Sequence, residues 1–118
     1  MPGHHRERLV EEIRQEIGVM LAGELKDPRL DLSILVTEAR LSPDQRQVRV
    51  WVDVHGTEAE QTAALAALEA AAGYIRRQLT ERLQLRRSPH PEFVLDHSAE
   101  YGARIEDLLR REKKVTDP

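Results

Sequence analysis

Five arginines, Arg76, Arg77, Arg82, Arg86 and Arg87, crowd into a stretch of fifteen residues, 73–87, in which Glu81 is the only carboxylate. That stretch carries +4 in a chain whose formal total is −3, so the remainder sums to −7. A guanidinium keeps its proton at any ordinary pH and presents a planar fork of donors that matches phosphate. A cluster of them also gains free energy by releasing counterions from a polyanion. The chemistry these residues suggest is therefore phosphate recognition. Taking Ile75 as origin and about 100° per residue, Ile75, Leu79 and Leu83 form an apolar centre, while Arg76, Arg77, Thr80, Gln84 and Arg87 share one polar ridge. Arg82 and Arg86 lie at its margins. The ordinary alternative is a solvated helix face.

Other chemistries find no support in the spacing. His4, His5, His55, His90 and His97 show no metal-ligand pattern, and no phosphate loop forms from glycines that stand singly at 3, 18, 23, 56, 73 and 102. Ser33, Ser42, Ser88 and Ser98 lie in no nucleophile motif, and the carboxylates are spread as helix surface charge rather than paired for acid–base work. With no cysteine, disulfides and thiolate chemistry are excluded. The four aromatics, Trp51, Tyr74, Phe93 and Tyr101, are too scattered for a base-stacking sheet. A binding protein without cofactor, metal or small-molecule substrate is expected, not an enzyme.

The arginines need elements to hold them. Leu65, Leu68, Ala72, Ile75, Leu79 and Leu83 recur at three- and four-residue steps, which makes two helical runs joined at Ala71-Ala72-Gly73. A glycine in a helix interior costs about 1 kcal/mol, so Gly73 suggests a bend or a close approach by another backbone. The second run is expected to reach about Arg86. Upstream, Leu9, Ile13, Ile17 and Leu21 define a first helix over 6–25, stopped by Asp27-Pro28. Two antiparallel strands follow over 32–41 and 47–54, turned by Ser42-Pro43-Asp44. In the second, Val48, Val50, Val52 and Val54 alternate with Gln47, Arg49, Trp51 and Asp53, so one face is buried. Trp51 then lies on the solvent side beside Arg49, where it either contacts RNA or a protein partner or covers its neighbours. Thr57 is the expected N-cap of the first run. Ser88-Pro89-His90-Pro91 blocks further helix before a short third strand at 93–96, and residues 98–111 read as a last helix.

The order is α-β-β-α-α-β: an α+β single domain with a three-stranded sheet and helices on one face. At 118 residues and 40% hydrophobic, the chain supplies one core, with residues 1–112 as the domain and 113–118 as a charged, disordered tail. No apolar run approaches the roughly 18 residues a membrane span requires, no signal peptide is readable, and a cytoplasmic, monomeric protein is expected.

That order resembles the type II KH fold of RNA-binding proteins, with Ala71-Ala72-Gly73 where a Gly-x-x-Gly loop usually stands. The Ala-x-Gly joint is similar to that of the bacterial ribosome-binding factor A family. So are Lys26-Asp27-Pro28-Arg29, Val36-Thr37-Glu38-Ala39-Arg40-Leu41-Ser42-Pro43-Asp44, Gly73-Tyr74-Ile75-Arg76, Leu83-Gln84-Leu85-Arg86, and Asp96-His97-Ser98 with Gly102, Ile105 and Leu108-Leu109. The resemblance covers about residues 6–109. It implies a non-enzymatic ribosome biogenesis factor that binds the free small (30S) subunit and its 16S rRNA. It further implies assistance to late maturation, including 5′-end processing of pre-16S rRNA, often in cold adaptation. One departure is Pro89-His90-Pro91-Glu92-Phe93, where the family usually has Pro-Glu-Leu before the aromatic of the third strand. A helix-turn-helix DNA-binding protein and a protein-only adaptor using Trp51 are the competing readings.

Overall fold

The computed structural model describes residues 2–98, 106 and 108–110. Helix α1 spans Pro2–Val19 and closes with a wider π-helical turn, Met20–Glu24, and a short 3-10 turn, Pro28–Leu30. Asp27 caps that turn by accepting from the Arg29 N–H at 3.0 Å, and Pro28 occupies its first position, where the missing donor costs nothing. Helix α1 begins before the expected residue 6, because Pro2 at its start pre-sets a helical φ without needing a donor.

Strands β1 (Ser33–Leu41) and β2 (Gln47–His55) form an antiparallel hairpin, and β3 (His90–Leu95) adds to β2 in parallel, giving the sheet order β1-β2-β3. Between β2 and β3 the chain crosses over through α2 (Glu58–Ala70) and α3 (Ala72–Arg82), which together with α1 cover one sheet face. The helix pair is thus built into a sheet crossover, unlike a helix-turn-helix. Val48, Val50, Val52 and Val54 are all buried, as the alternation predicts. In β1 the register slips at Thr37, which has no partner between Val36↔Val52 and Glu38↔Trp51. This bulge turns both Val36 and Ala39 inward despite their odd separation, and the Thr37 hydroxyl donates to Asp96 Oδ2 at 2.6 Å.

Thr57 begins α2 with a reciprocal capping box: its hydroxyl accepts from Glu60 N–H at 3.1 Å while Glu60 accepts from Thr57 N–H at 2.9 Å. Strand β3 starts at His90, three residues earlier than expected. His90 N–H donates to Arg46 O and Asp96 N–H to Val52 O, so even-numbered donors face β2 and Pro91 falls on the open edge, where a proline breaks no ladder bond.

Helix α3 ends at Arg82, four residues short of expectation. Gln84 takes the left-handed conformation at φ 50°, and the Leu85 N–H returns to Thr80 O at 3.0 Å, closing the helix. Helical periodicity therefore does not place Gln84, Arg86 or Arg87. Of the expected last helix, residues 98, 106 and 108–110 are helical, while the rest, and the tail 113–118, lie outside the described residues.

The core joins all layers: Ile13 and Ile17 of α1, Met20, Leu68 of α2, and Ile75 and Leu79 of α3 are fully buried against the valines of β2.

Candidate nucleic-acid interface

The bend between α2 and α3 falls on Ala71, at φ −86° and ψ −2°, and not on the glycine. Alanine is the best helix former, so the residue type at the bend does not itself call for one. Leu68 before the bend and Ile75 after it are both sealed in the core. Gly73 is exposed in the first turn of α3, its φ is not positive, and a Cβ built on it meets nothing within 4 Å. The expectation that Gly73 marks an unusual backbone angle or a close approach within the fold is therefore corrected. Gly73→Ala is expected to raise stability by about 0.5–1 kcal/mol, read as a higher Tm. A simultaneous loss of RNA affinity would show that a ligand backbone approaches this spot.

The first turns of α3 present Arg76 and Arg77 outward, both exposed, with Ile75 buried between them and the sheet. Arg77 makes no hydrogen bond or ion pair among the described residues and keeps all its donors for a ligand. Arg76 is aimed rather than free. Its Nε donates to Ser88 O at 3.0 Å and Ser88 Oγ at 3.1 Å. The Thr80 hydroxyl donates back to Arg76 O at 2.8 Å, which leaves the Ser88 hydroxyl as donor in the 2.6 Å contact between Ser88 and Thr80. This closed circuit spends the Nε and both hydroxyls, and leaves the two Nη groups of Arg76 without a partner among the described residues.

Arg87 is fixed by donating from Nη1 to Asp44 O at 3.1 Å across the hairpin turn. Arg46, Arg76 and Arg87, with Ser88, line one shallow depression that has no carboxylate among its walls. Three arginines from a turn, a helix and a linker thus converge on one depression, with the Asp44 carboxylate close enough to Arg46 to offset part of one charge, and the excess of positive charge favours a bound anion. Arg46 has no signal in the sequence, because the hairpin register alone brings it beside Arg76 and Arg87.

Arg82 behaves differently. It sits seven residues after Ile75 and so returns to the side of α3 that meets α1. There it pairs with Glu24 at 2.6 Å and Glu16 at 3.2 Å, and its Nε donates to Gln78 at 3.2 Å. Its charge is spent on holding α3 against α1. The hydrogen bond from Arg82, joined by its Coulomb attraction and the Tyr74 hydroxyl at 3.3 Å, holds the Glu24 carboxyl below the usual glutamate range. A carboxyl with a folded value below its unfolded one contributes stability above the unfolded pKa, and this is lost as pH falls through the folded value. An NMR titration should find Glu24 titrating below an ordinary glutamate, and Arg82→Gln should return it to the usual range.

Trp51 is half-buried on the sheet face opposite the helices, with the Arg40 guanidinium 5.6 Å from its ring centroid. Arg49, next to it, makes a long 3.5 Å contact with Glu92. The pair lines a depression with Arg40, Gln47 and Glu92 that shares no lining residue with that of Arg46, Arg76 and Arg87, and Arg40 occupies one face of the indole. Among the described residues, no group of three or more histidines, aspartates or glutamates is placed to hold a metal ion, and no helix is long and apolar enough to cross a membrane.

The family model for ribosome-binding factor A matches residues 5–109. The chain belongs to the ribosome-binding factor A family. A relative from Koribacter versatilis, named ribosome-binding factor A, is 47% identical over 111 residues, which cover 94% of this chain and 89% of the relative. The crystal structure of ribosome-binding factor A from Thermus thermophilus is 30% identical, with a TM-score of 0.67 over 76% of this chain and 94% of that one. A homology model of the Thermus thermophilus factor, fitted into the cryo-EM map of a 30S–RbfA complex, aligns with a TM-score of 0.58 at 30% identity, covering 80% of this chain and 94% of that one. Membership of the ribosome-binding factor A family accords with the α-β-β-α-α-β order and the helix joint at Ala71-Ala72-Gly73.

Proposed function

We propose that this chain binds the free small (30S) ribosomal subunit through its 16S rRNA and assists late maturation, including 5′-end processing of pre-16S rRNA, by binding rather than by catalysis. The observation that carries the reading is the convergence of Arg46, Arg76 and Arg87 on a depression with no carboxylate in its walls, beside an unpartnered Arg77, in a chain of the ribosome-binding factor A family. The 30S complex named for the Thermus relative supports the choice of partner. Arg76, Arg77, Arg86 and Arg87 supply phosphate contacts. Thr80 aims Arg76, Arg82 holds the helix that carries it, and Gln84 borders the surface. Such a factor acts in the cytoplasm as a monomer, and its loss is expected to impair growth most in the cold, when RNA misfolding is slowest to resolve. Arg49 and Trp51 form a secondary contact at most, since Arg40 already covers the indole.

Charge alone would bring the protein to any ribosomal RNA, so selectivity is the test. Sedimentation with separated small subunits, large subunits and joined ribosomes at physiological salt should show co-migration with free small subunits only. Equal binding to large subunits would reduce the activity to generic adhesion to RNA.

A further inference from the structure

A cleft of about 440 Å³ opens between the start of α1, the β1–β2 turn and the segment that follows α3. This lies within the roughly 300–1,000 Å³ of small-ligand sites. Leu9, Leu41, Leu83 and Leu85 line it with apolar surface, and Arg8 and Arg86 stand exposed on it without partners among the described residues. Two further walls are unusual. Among the described residues, Gln45 at φ 60° and Gln84 at φ 50° are the non-glycine positions with left-handed backbone, and both line this cleft. An L-residue is disfavoured in that conformation, which glycine adopts freely and asparagine tolerates. Turn closure would be served better by glycine at either site, yet each carries a long carboxamide with two donors and one acceptor.

We infer that this cleft binds a single unpaired RNA nucleotide, with its base on the leucine surface, the Gln45 and Gln84 amides at its edge and its phosphate at Arg8 and Arg86. Sequence-specific contacts to RNA are made mainly with unstacked bases, through hydrogen bonds to their edges and apolar or planar contact with their faces. Glu12, the carboxylate among the lining residues, adds an acceptor suited to an exocyclic amine. Arg87 lines both this cleft and the depression it shares with Arg46 and Arg76, so one strand can lay a phosphate in the depression and the neighbouring nucleotide in the cleft. The inference rests on the RNA-binding reading above and adds to it a site that reads a base rather than the backbone.

A structural role and a binding role for the two glutamines make opposite demands. Gln45→Gly, Gln84→Gly and the double variant should each melt higher than the parent, by roughly 4 °C per substitution, because the left-handed positions are relieved. Affinity for purified small subunits should nevertheless fall about tenfold per lost amide. Probing the bound RNA with base-edge reagents, dimethyl sulfate for adenine and cytosine and a carbodiimide for uracil and guanine, should reveal one unpaired base protected by the parent and exposed with the double variant. Unchanged affinity and unchanged base protection in the double variant, while Arg76→Gln with Arg77→Gln loses binding, would overturn the cleft and leave the subunit reading standing. A lower Tm accompanying the affinity loss would also overturn it, since the glutamines would then be serving the turns. Failure of the parent itself to bind small subunits would remove both.

Discussion

Arg76→Gln combined with Arg77→Gln should weaken binding to purified small subunits by about tenfold per lost contact, on the order of 1.4 kcal/mol each. The salt dependence should change with it. Each phosphate contact contributes roughly 0.7 to 0.9 to the slope of log affinity against log salt, so the double variant should flatten the slope by about 1.5. Neither side chain is in the core, and Ile75, Leu79 and Leu68 remain sealed without them, so the fold should survive. The one internal cost is the Arg76 bond to Ser88, which a glutamine amide partly replaces. Lys113→Gln with Lys114→Gln removes the same charge elsewhere and should matter less. Affinity across a salt series, with circular dichroism to confirm folding, checks the result. An unchanged slope, or an equal loss in the lysine control, would place the binding surface elsewhere.

The largest loss of stability should come from Ile75→Ala. Ile75 is fully inaccessible to solvent, on the turn of α3 next to Arg76 and Arg77, and belongs to the cluster that includes Ile17, Leu68 and Val50. Removing its branched side chain forfeits transfer free energy and leaves a cavity that close-packed helices fill only in part, a cost of about 3 kcal/mol. In a chain of this size that is a fall in Tm of roughly 10 °C. Binding measured well below the new Tm should remain nearer to the parent value than it does in the arginine variant, because the guanidinium groups stay. A Tm within about 2–3 °C of the parent, on the order of half a kcal/mol, would mean that α3 is not anchored through this residue.

What the two experiments separate, anchoring and contact, is also where sequence and structure divide the work. Element types and order are readable from period alone. Four alternating valines can be buried together only in a strand, and the spacing of Leu9, Ile13 and Ile17 only in a helix, so β2 and α1 are set by local pattern. The Thr57 cap is legible for the same reason, since the donors it satisfies lie within its own turn. The arginine cluster is visible as charge, and Arg76 and Arg77, inside a regular helix, can be placed on its outer side.

Where the local code ends, extrapolation fails. Helical geometry extends on paper through Gln84 and Arg87, but Gln84 adopts a left-handed cap that no short-range preference of glutamine would announce. Gly73 looks like the hinge because glycine is the weak helix former, whereas the bend lies at Ala71, between the buried Leu68 and Ile75. Arg82 reads as part of a phosphate surface, yet its partners Glu16 and Glu24 lie on the first helix and its extension, far away in sequence. The sequence by itself determined the α+β order, the inward faces and the excess of positive charge, because each depends on residues within one or two turns of one another. Only the tertiary structure decided which arginines are neutralised and which converge. That depends on which side chains the crossover of α2 and α3 brings beside the hairpin turn and beside α1, and electrostatic attraction acts across space rather than along the chain.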